Sequence, residues 1–172
     1  MISREAAINI LNKSGCNEKV IAHCIAVSDL ALEIASVLKA RGKDVDLDLV
    51  EIGGLLHDLG RAQSHGIDHA ILGVELARYY GLEPELQQII KRHIGAGISR
   101  DEAKEMHLPD DDYIPVTLEQ KIVAHADNLL VGTERISIDR RIRKMEKKNI
   151  KRESIERVKA LAEEIGIIPG KG

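Results

Sequence analysis

Seven histidines lie at positions 23, 57, 65, 69, 93, 107 and 125, and several sit among apolar neighbours. His23 follows V-I-A, His57 follows L-L, and His93 ends the run L-Q-Q-I-I-K-R-H. Two carboxylates share this setting: Asp58, directly after His57, and Asp127, inside K-I-V-A-H-A-D-N-L-L. A buried imidazole or carboxylate is costly without a partner. Taken singly, each is ordinarily a satisfied core histidine or one side of an ion pair. Several of them on separate segments have a more economical explanation, convergence on a divalent cation. Imidazole and carboxylate together suit Mn, Fe, Co, Ni or Zn. A bound ion gives each polar atom a partner, and so removes the cost of burying it. The chemistry of such a site is Lewis-acid chemistry, in which water is activated and an oxygen polarised.

Positioning these groups falls to helices. Ser3 is expected to cap a first helix to about residue 13, closed by Gly15, and Asn17 a second that ends near Gly42. In the second, Val20, Cys24, Val27, Leu30, Ala31 and Ile34 recur at helical spacing. Asp46 caps a third helix, stopped by Gly60. Adjacent helical residues point about 100° apart, so His57 and Asp58 cannot share one core stripe. At a helix end both can flank a centre lying off the terminus. Further helices are expected over about 67–80, over 84–94 with Pro84 in the first turn, and from Thr117 to about 131. Thr117 and Gln120 read as a capping box for the last of these. One helix, or two with a break, covers about 137–165, and no alternating run predicts a strand. Segment 94–116 holds two glycines, two prolines and the acidic triple Asp110–Asp112. It reads as an irregular connection with a short helix from Ser99 to about His107, and as a candidate lid.

These residues carry a resemblance. A histidine on one helix, an H-D pair on a later helix and a distal aspartate resemble the HD-domain metal-dependent phosphohydrolases, here as His23, His57-Asp58 and Asp127. L-L-H-D-L-G-R at 55–61 is similar to the H-D-I-G-K segment of the HDIG branch, with Leu59 for Ile and Arg61 for Lys. H-A-I-L-G at 69–73, I-I-K-R-H at 89–93 and K-I-V-A-H-A-D-N-L at 121–129 resemble further segments in the same order. The resemblance implies that His23, His57, Asp58 and Asp127 hold one metal ion. His69 and His93 match the pair that holds a second ion in two-metal members, with Asp58 bridging. It therefore implies one or two divalent transition-metal ions (Fe, Mn, Ni, Co or Zn) and hydrolysis of a phosphate ester or anhydride, with a nucleotide as the small phosphorylated substrate. Asp58 is placed to take the proton of the attacking water, and Arg61 to clamp a phosphate through paired N–H donors. Lys91 and Arg92 are weaker candidates for that clamp.

The fold expected is all-α, a single HD-domain-like bundle of about six to eight helices with a C-terminal helical extension. Residues 1–135 would form the metal-binding helical domain, and 136–172 a basic extension packed on it. In a chain of 172 residues with 2% aromatics, the core must be aliphatic. Scarce aromatics argue against binding single-stranded nucleic acid by stacking. Net charge is −3, yet R-R-I-R-K-M-E-K-K-N-I-K-R at 140–152 carries eight basic residues and one Glu, so the remainder is acidic. That stretch reads as a solvated helix face rather than a nucleic-acid surface. The extension could also make a homo-oligomer contact. No membrane span and no secretory signal is expected, and two cysteines without a C-x-x-C fit a reducing, cytoplasmic setting.

Among the other polar residues, His65 reads as a turn residue, His107 as solvent-facing and Cys24 as core. Asp68 is a helix cap or an orienter of His69, and Asn128 a residue near the site. Two other readings fit the same six ligands. One is a di-iron HD-domain oxygenase, marked by mixed-valent iron and oxygen uptake. The other is a non-catalytic metal- or ligand-binding regulatory module, against which the intact ligand set argues.

Overall fold

The computed structural model describes residues 1–167, so residues 168–172 of the expected extension lie outside the described residues. In chain order the helices are α1 (Arg4–Ser14), α2 (Glu18–Ala40), α3 (Leu47–Leu56), α4 (His69–Tyr79), α5 (Pro84–Arg92), α6 (Arg100–Glu105), α7 (Leu118–Asn128), α8 (Ile138–Lys147) and α9 (Arg152–Ile165). A 3-10 turn, Leu59–Ala62, follows α3. The fold is all-α: seven helices precede residue 130, and two form the extension.

Local chemistry sets most of the boundaries. The side chains of Ser3, Asn17 and Asp46 accept hydrogen bonds from the N–H groups of Ala6, Val20 and Leu49, which fixes the starts of α1, α2 and α3. Two expectations are corrected. Thr117 does cap α7, but Gln120 takes the N–H of Val116, so the reciprocal bond of a capping box is missing; the complete box is Ser99–Glu102 at α6. Also, α7 stops at Asn128 instead of about 131, and a hairpin follows, β1 (Leu130–Val131) paired antiparallel with β2 (Glu134–Arg135). Gly132, at φ 58°, opens its two-residue turn. Strands of two residues have no periodicity for a sequence to display.

The core is aliphatic, as the composition requires. α2 is the central helix, with Cys24, Val27, Leu30, Ala31, Ile34, Ala35 and Leu38 buried. By length and hydropathy it could cross a membrane, contrary to the sequence reading, but a buried core helix passes the same test. α3 crosses it at backbone contact: a Cβ on Gly54 would lie 2.7 Å from Ser28 Cα. This approach brings His57, at the end of α3, towards His23 on α2. In the extension, Ile142 of α8 and Ile155, Val158, Leu161 and Ile165 of α9 share a buried cluster with residues of α2 and α7.

Segment 94–116 is tethered rather than a free lid. Ile98, Ala103 and Tyr113 form a small core of their own. Lys91 pairs with Asp111, and Arg92 donates to the Ile114 carbonyl and to Gln88. These cations hold the segment to α5 and are not presented to a phosphate. His107 is exposed, as read from the sequence.

Candidate metal centre

Asp58 stands just past α3, and its two oxygens face different groups. Oδ2 lies 3.8 Å from His23 Nε2 and 3.8 Å from His57 Nε2. Oδ1 lies 3.2 Å from His69 Nε2 and 3.3 Å from His93 Nε2. Asp127 closes the first group, with Oδ1 3.0 Å from His23 Nε2 and 3.8 Å from His57 Nε2. Two sets, His23–His57–Asp58 and Asp58–His69–His93, each have their ligand atoms within 4.8 Å of one another, and they share Asp58. All six residues singled out as ligands in the sequence are thus brought together.

The second set depends on a close backbone contact. Gly60 lies in the 3-10 turn against α4, where a Cβ would fall 1.8 Å from the His69 carbonyl oxygen and 2.6 Å from the Gly73 nitrogen. Glycine at 60 therefore serves less to stop α3, which has already ended at Leu56, than to let α4 approach Asp58.

Every one of the four imidazoles is oriented in the same way. Nδ1 of His23, His57, His69 and His93 lies 2.7 Å from the carbonyl oxygen of Gly132, Gly54, Gly66 and Ile90 respectively. A carbonyl oxygen only accepts, so each Nδ1 carries a proton and, in the neutral ring, Nε2 is the lone-pair donor; without metal, His23 Nε2 carries a proton too and donates it to Asp127 Oδ1 at 3.0 Å. Metal-bound histidines have this outer arrangement. Two details make the fit sharper. His57 Nε2 is buried without a hydrogen-bond partner. His69 Nε2 and His93 Nε2 lie 3.0 Å apart, so in their neutral forms two lone pairs confront each other. A cation, or an added proton, is what relieves both. Four imidazole nitrogens and two carboxylates suit a divalent transition metal, and the residues fit that group.

Without metal the imidazoles divide: His57 is held neutral, while the carboxylates favour the charged forms of His23 and His93 against the opposing effect of burial. Burial pushes His57 down to about 4, so it is neutral at pH 7. Burial also opposes the charged form of His23, but the Asp127 hydrogen bond and charge outweigh it and raise His23 to about 9. Burial works against the Asp58 and Asp127 carboxylates too, yet the surrounding imidazoles hold both below the usual carboxylate range.

Arg61 reaches the centre. Its Nε lies 3.3 Å from Asp58 Oδ1, and Nη1 donates to the His65 carbonyl at 2.7 Å. His65 itself is an exposed turn residue. Asp68 occupies the N-cap position of α4 without a side-chain capping bond, its carboxylate accepting from Ser64 Oγ, and His69 is oriented by the Gly66 carbonyl instead. Asn128 donates to the Gly95 carbonyl instead of entering the site, and Cys24 is core. His125 is buried with neither ring nitrogen paired, and burial lowers it to about 4. The carbonyls that orient the four imidazoles went unread in the sequence, because a backbone oxygen has no residue signature.

Comparisons with known proteins agree with this architecture. A family model described as the HD domain matches residues 20–132. An uncharacterized protein of Methanocaldococcus jannaschii is 51% identical over 94% of this chain and 95% of its own length. A tRNA (cytidine(56)-2'-O)-methyltransferase of Thermoplasma volcanium is 36% identical over 97% of this chain, which spans 48% of that protein. A ribonuclease Y of Pseudothermotoga lettingae is 31% identical over 87% of this chain, which spans 27% of it. Among solved structures, the HD domain of the L. monocytogenes phosphodiesterase PgpH, in complex with cyclic-di-AMP, covers 98% of this chain and 100% of its own, with TM-score 0.56 and 17% identity. With the match spanning both carboxylates and all four oriented histidines, the chain belongs to the HD-domain family.

Proposed function

We propose that this protein is a metal-dependent phosphohydrolase that cleaves a phosphate ester or anhydride of a nucleotide. The observation that carries the reading is the division of Asp58 between two sets of imidazoles, all with Nε2 turned inward. His23, His57, Asp58 and Asp127 would hold one ion, and Asp58, His69 and His93 a second. When bound, such ions supply Lewis acidity, lowering the pKa of water and polarising a phosphoryl oxygen.

The chain's own groups do the rest. His57, His69 and His93 are almost wholly enclosed, whereas the side chains of His23, Asp127 and Arg61 are 16%, 23% and 27% exposed, so substrate enters on their side. Arg61 is held by Asp58 and the His65 carbonyl, which leaves its Nη2 edge to bind a phosphoryl oxygen through charge-assisted hydrogen bonds. There it offsets the charge that builds on the transferred group. Asp58 is the carboxylate at the middle of the site and receives the proton of the attacking water. The nucleotide preference draws support from relatives whose names place them on RNA, and from the cyclic-di-AMP bound by the PgpH domain.

The test is hydrolysis of bis(p-nitrophenyl) phosphate, cyclic dinucleotides and nucleoside triphosphates by protein loaded with Mn, Co or Fe, with oxygen uptake followed in parallel. Turnover abolished in Asp58→Ala, with no oxygen consumed, supports the reading. Oxygen uptake without phosphate release, or no turnover by any metal form, overturns it.

A further inference from the structure

The C-terminal extension reaches the candidate metal centre through Arg141 of α8, a residue outside the matched span 20–132. Its guanidinium donates only to backbone carbonyls: Nε to Asn128 at 2.6 Å, and Nη2 to Asp127 at 3.1 Å and to Leu130 at 2.6 Å. The last carbonyls of a helix have no partner within it, and a cation there also meets the negative end of the helix dipole. The planar fork of Arg suits several acceptors at once.

What this clamp holds is one half of the centre. Asp127 Oδ1 lies 3.0 Å from His23 Nε2, and the Gly132 carbonyl lies 2.7 Å from His23 Nδ1. Both nitrogens of His23 are therefore fixed by segment 127–132. Arg141 grips that segment between the two contacts, at residues 127, 128 and 130. Nothing comparable from α8 touches His69 or His93, whose Nδ1 atoms rest on the carbonyls of Gly66 and Ile90. The neighbouring basic residues differ. Arg140 pairs with Glu134, and Arg143 is exposed.

We infer that Arg141 is a positioning residue: it locks the end of α7 so that Asp127 and His23 present their ligand atoms, and the basic extension is thereby part of the metal centre. The inference rests on the reading of these residues as metal ligands. It assigns Arg141 to the His23–Asp127 half alone.

The test is a cobalt(II) titration of the full, chelator-stripped chain, followed by visible absorption, with far-UV circular dichroism on each variant. Arg141→Ala should weaken the same cobalt step as Asp127→Ala, by several-fold and by no more than the roughly 10- to 100-fold that a direct outer partner of a metal ligand is worth. The step removed by His69→Ala should be unaltered. Arg141→Lys should recover part of the loss, since one ammonium reaches fewer carbonyls, and Arg143→Ala should behave as wild type. If the wild type shows one step, that is the step Arg141→Ala must weaken. If Arg141→Ala does not fold, Arg141→Lys must show the selective loss. Folded Arg141 variants that bind cobalt like the wild type, or that lose both steps equally, overturn the inference and leave the metal reading standing. A wild type that binds no cobalt removes the metal reading, and the inference with it.

Discussion

On the Oδ2 side of Asp58 stand His23, His57 and Asp127, carried by α2, α3 and α7; on the Oδ1 side stand His69 and His93, at the start of α4 and the end of α5. The first set is drawn from distant parts of the chain: His23 and Asp127 are 104 residues apart, against 24 for His69 and His93. It is also the more open, with Asp127 23% exposed while His69 and His93 are each 2% exposed. A distant pair needs outside bracing, here the hairpin carbonyl and the Arg141 clamp. A local pair on successive helices needs only that those helices approach Asp58, which Gly60 permits. The comparison teaches that one carboxylate can join a locally built pocket to one that closes only when the chain has folded throughout.

The largest effect is expected where the comparison collapses, at the shared residue. Asp58→Ala removes an oxygen from both halves, so metal measured by elemental analysis should fall close to zero. The loss of affinity should exceed the about 10- to 100-fold that an outer partner is worth. Retention of full metal content would show that neither half is a metal site.

Next is Gly60→Ala. The added Cβ would meet the backbone of His69 and Gly73, which cannot rotate away, and overpacking of this kind costs about 1–3 kcal/mol or more. The melting temperature should drop, and the His69–His93 half should lose metal before the other. Gly73→Ala is the milder companion, since its Cβ would lie 2.7 Å from Ile90 Cγ2 and no nearer than 3.1 Å to backbone, at the Gly60 nitrogen, against 1.8 Å for a Cβ on Gly60. A smaller drop in thermal denaturation is expected, and equal drops would contradict the backbone-contact argument.

His69→Ala sharpens the comparison without straining the backbone. Two ions per chain falling to one, by elemental analysis, would fix the halves as separate sites. One ion in both proteins would make His69 an outer partner.

The smallest effect is a pH dependence confined to the metal-free protein. His23 is raised from 6.5 to about 9, so its contribution to stability is complete below 6.5 and is lost as pH climbs through about 9. His57 is lowered from 6.5 to about 4, so protonation is resisted by the fold, and stability declines as pH falls from 6.5 towards 4. Melting temperatures in chelator should therefore decline on both sides of about 6.5, by these two shifts. His93, raised by the Asp58 hydrogen bond and charge against the opposing effect of burial, adds to the alkaline limb, so His23→Gln should make that limb shallower and leave the acid limb as it was; an unchanged alkaline limb would mean that His23 does not contribute to it.

Much of the fold could be read from short-range chemistry. Ser3, Asn17 and Asp46 announce helix starts because a cap is a bond to an N–H three residues away. The same logic failed where another partner intervened. Gln120 has the spacing of a capping box but turns to Val116, and Lys91 and Arg92 resemble free cations but are spent on Asp111 and Ile114. The segment after His93 has the composition of a lid, and only its Ile98–Ala103–Tyr113 core and the Lys91 and Arg92 contacts show it tied down.

By itself, then, the sequence determined the kinds of candidate ligand, their order along the chain and the helices that carry them, since residue type, apolar spacing and caps are local properties. The tertiary structure alone decided which imidazoles share which oxygen of Asp58, which carbonyls turn each Nε2 inward, and that Arg141 grips the end of α7. The contacts of Asp58 with His23 and His93, of Asp127 with His23 and His57, and of His23 with Gly132 join residues far apart in sequence, whereas His57, His69 and His93 each take the carbonyl three residues before them. All four carbonyls are backbone oxygens, which every residue possesses and no pattern of side chains can mark.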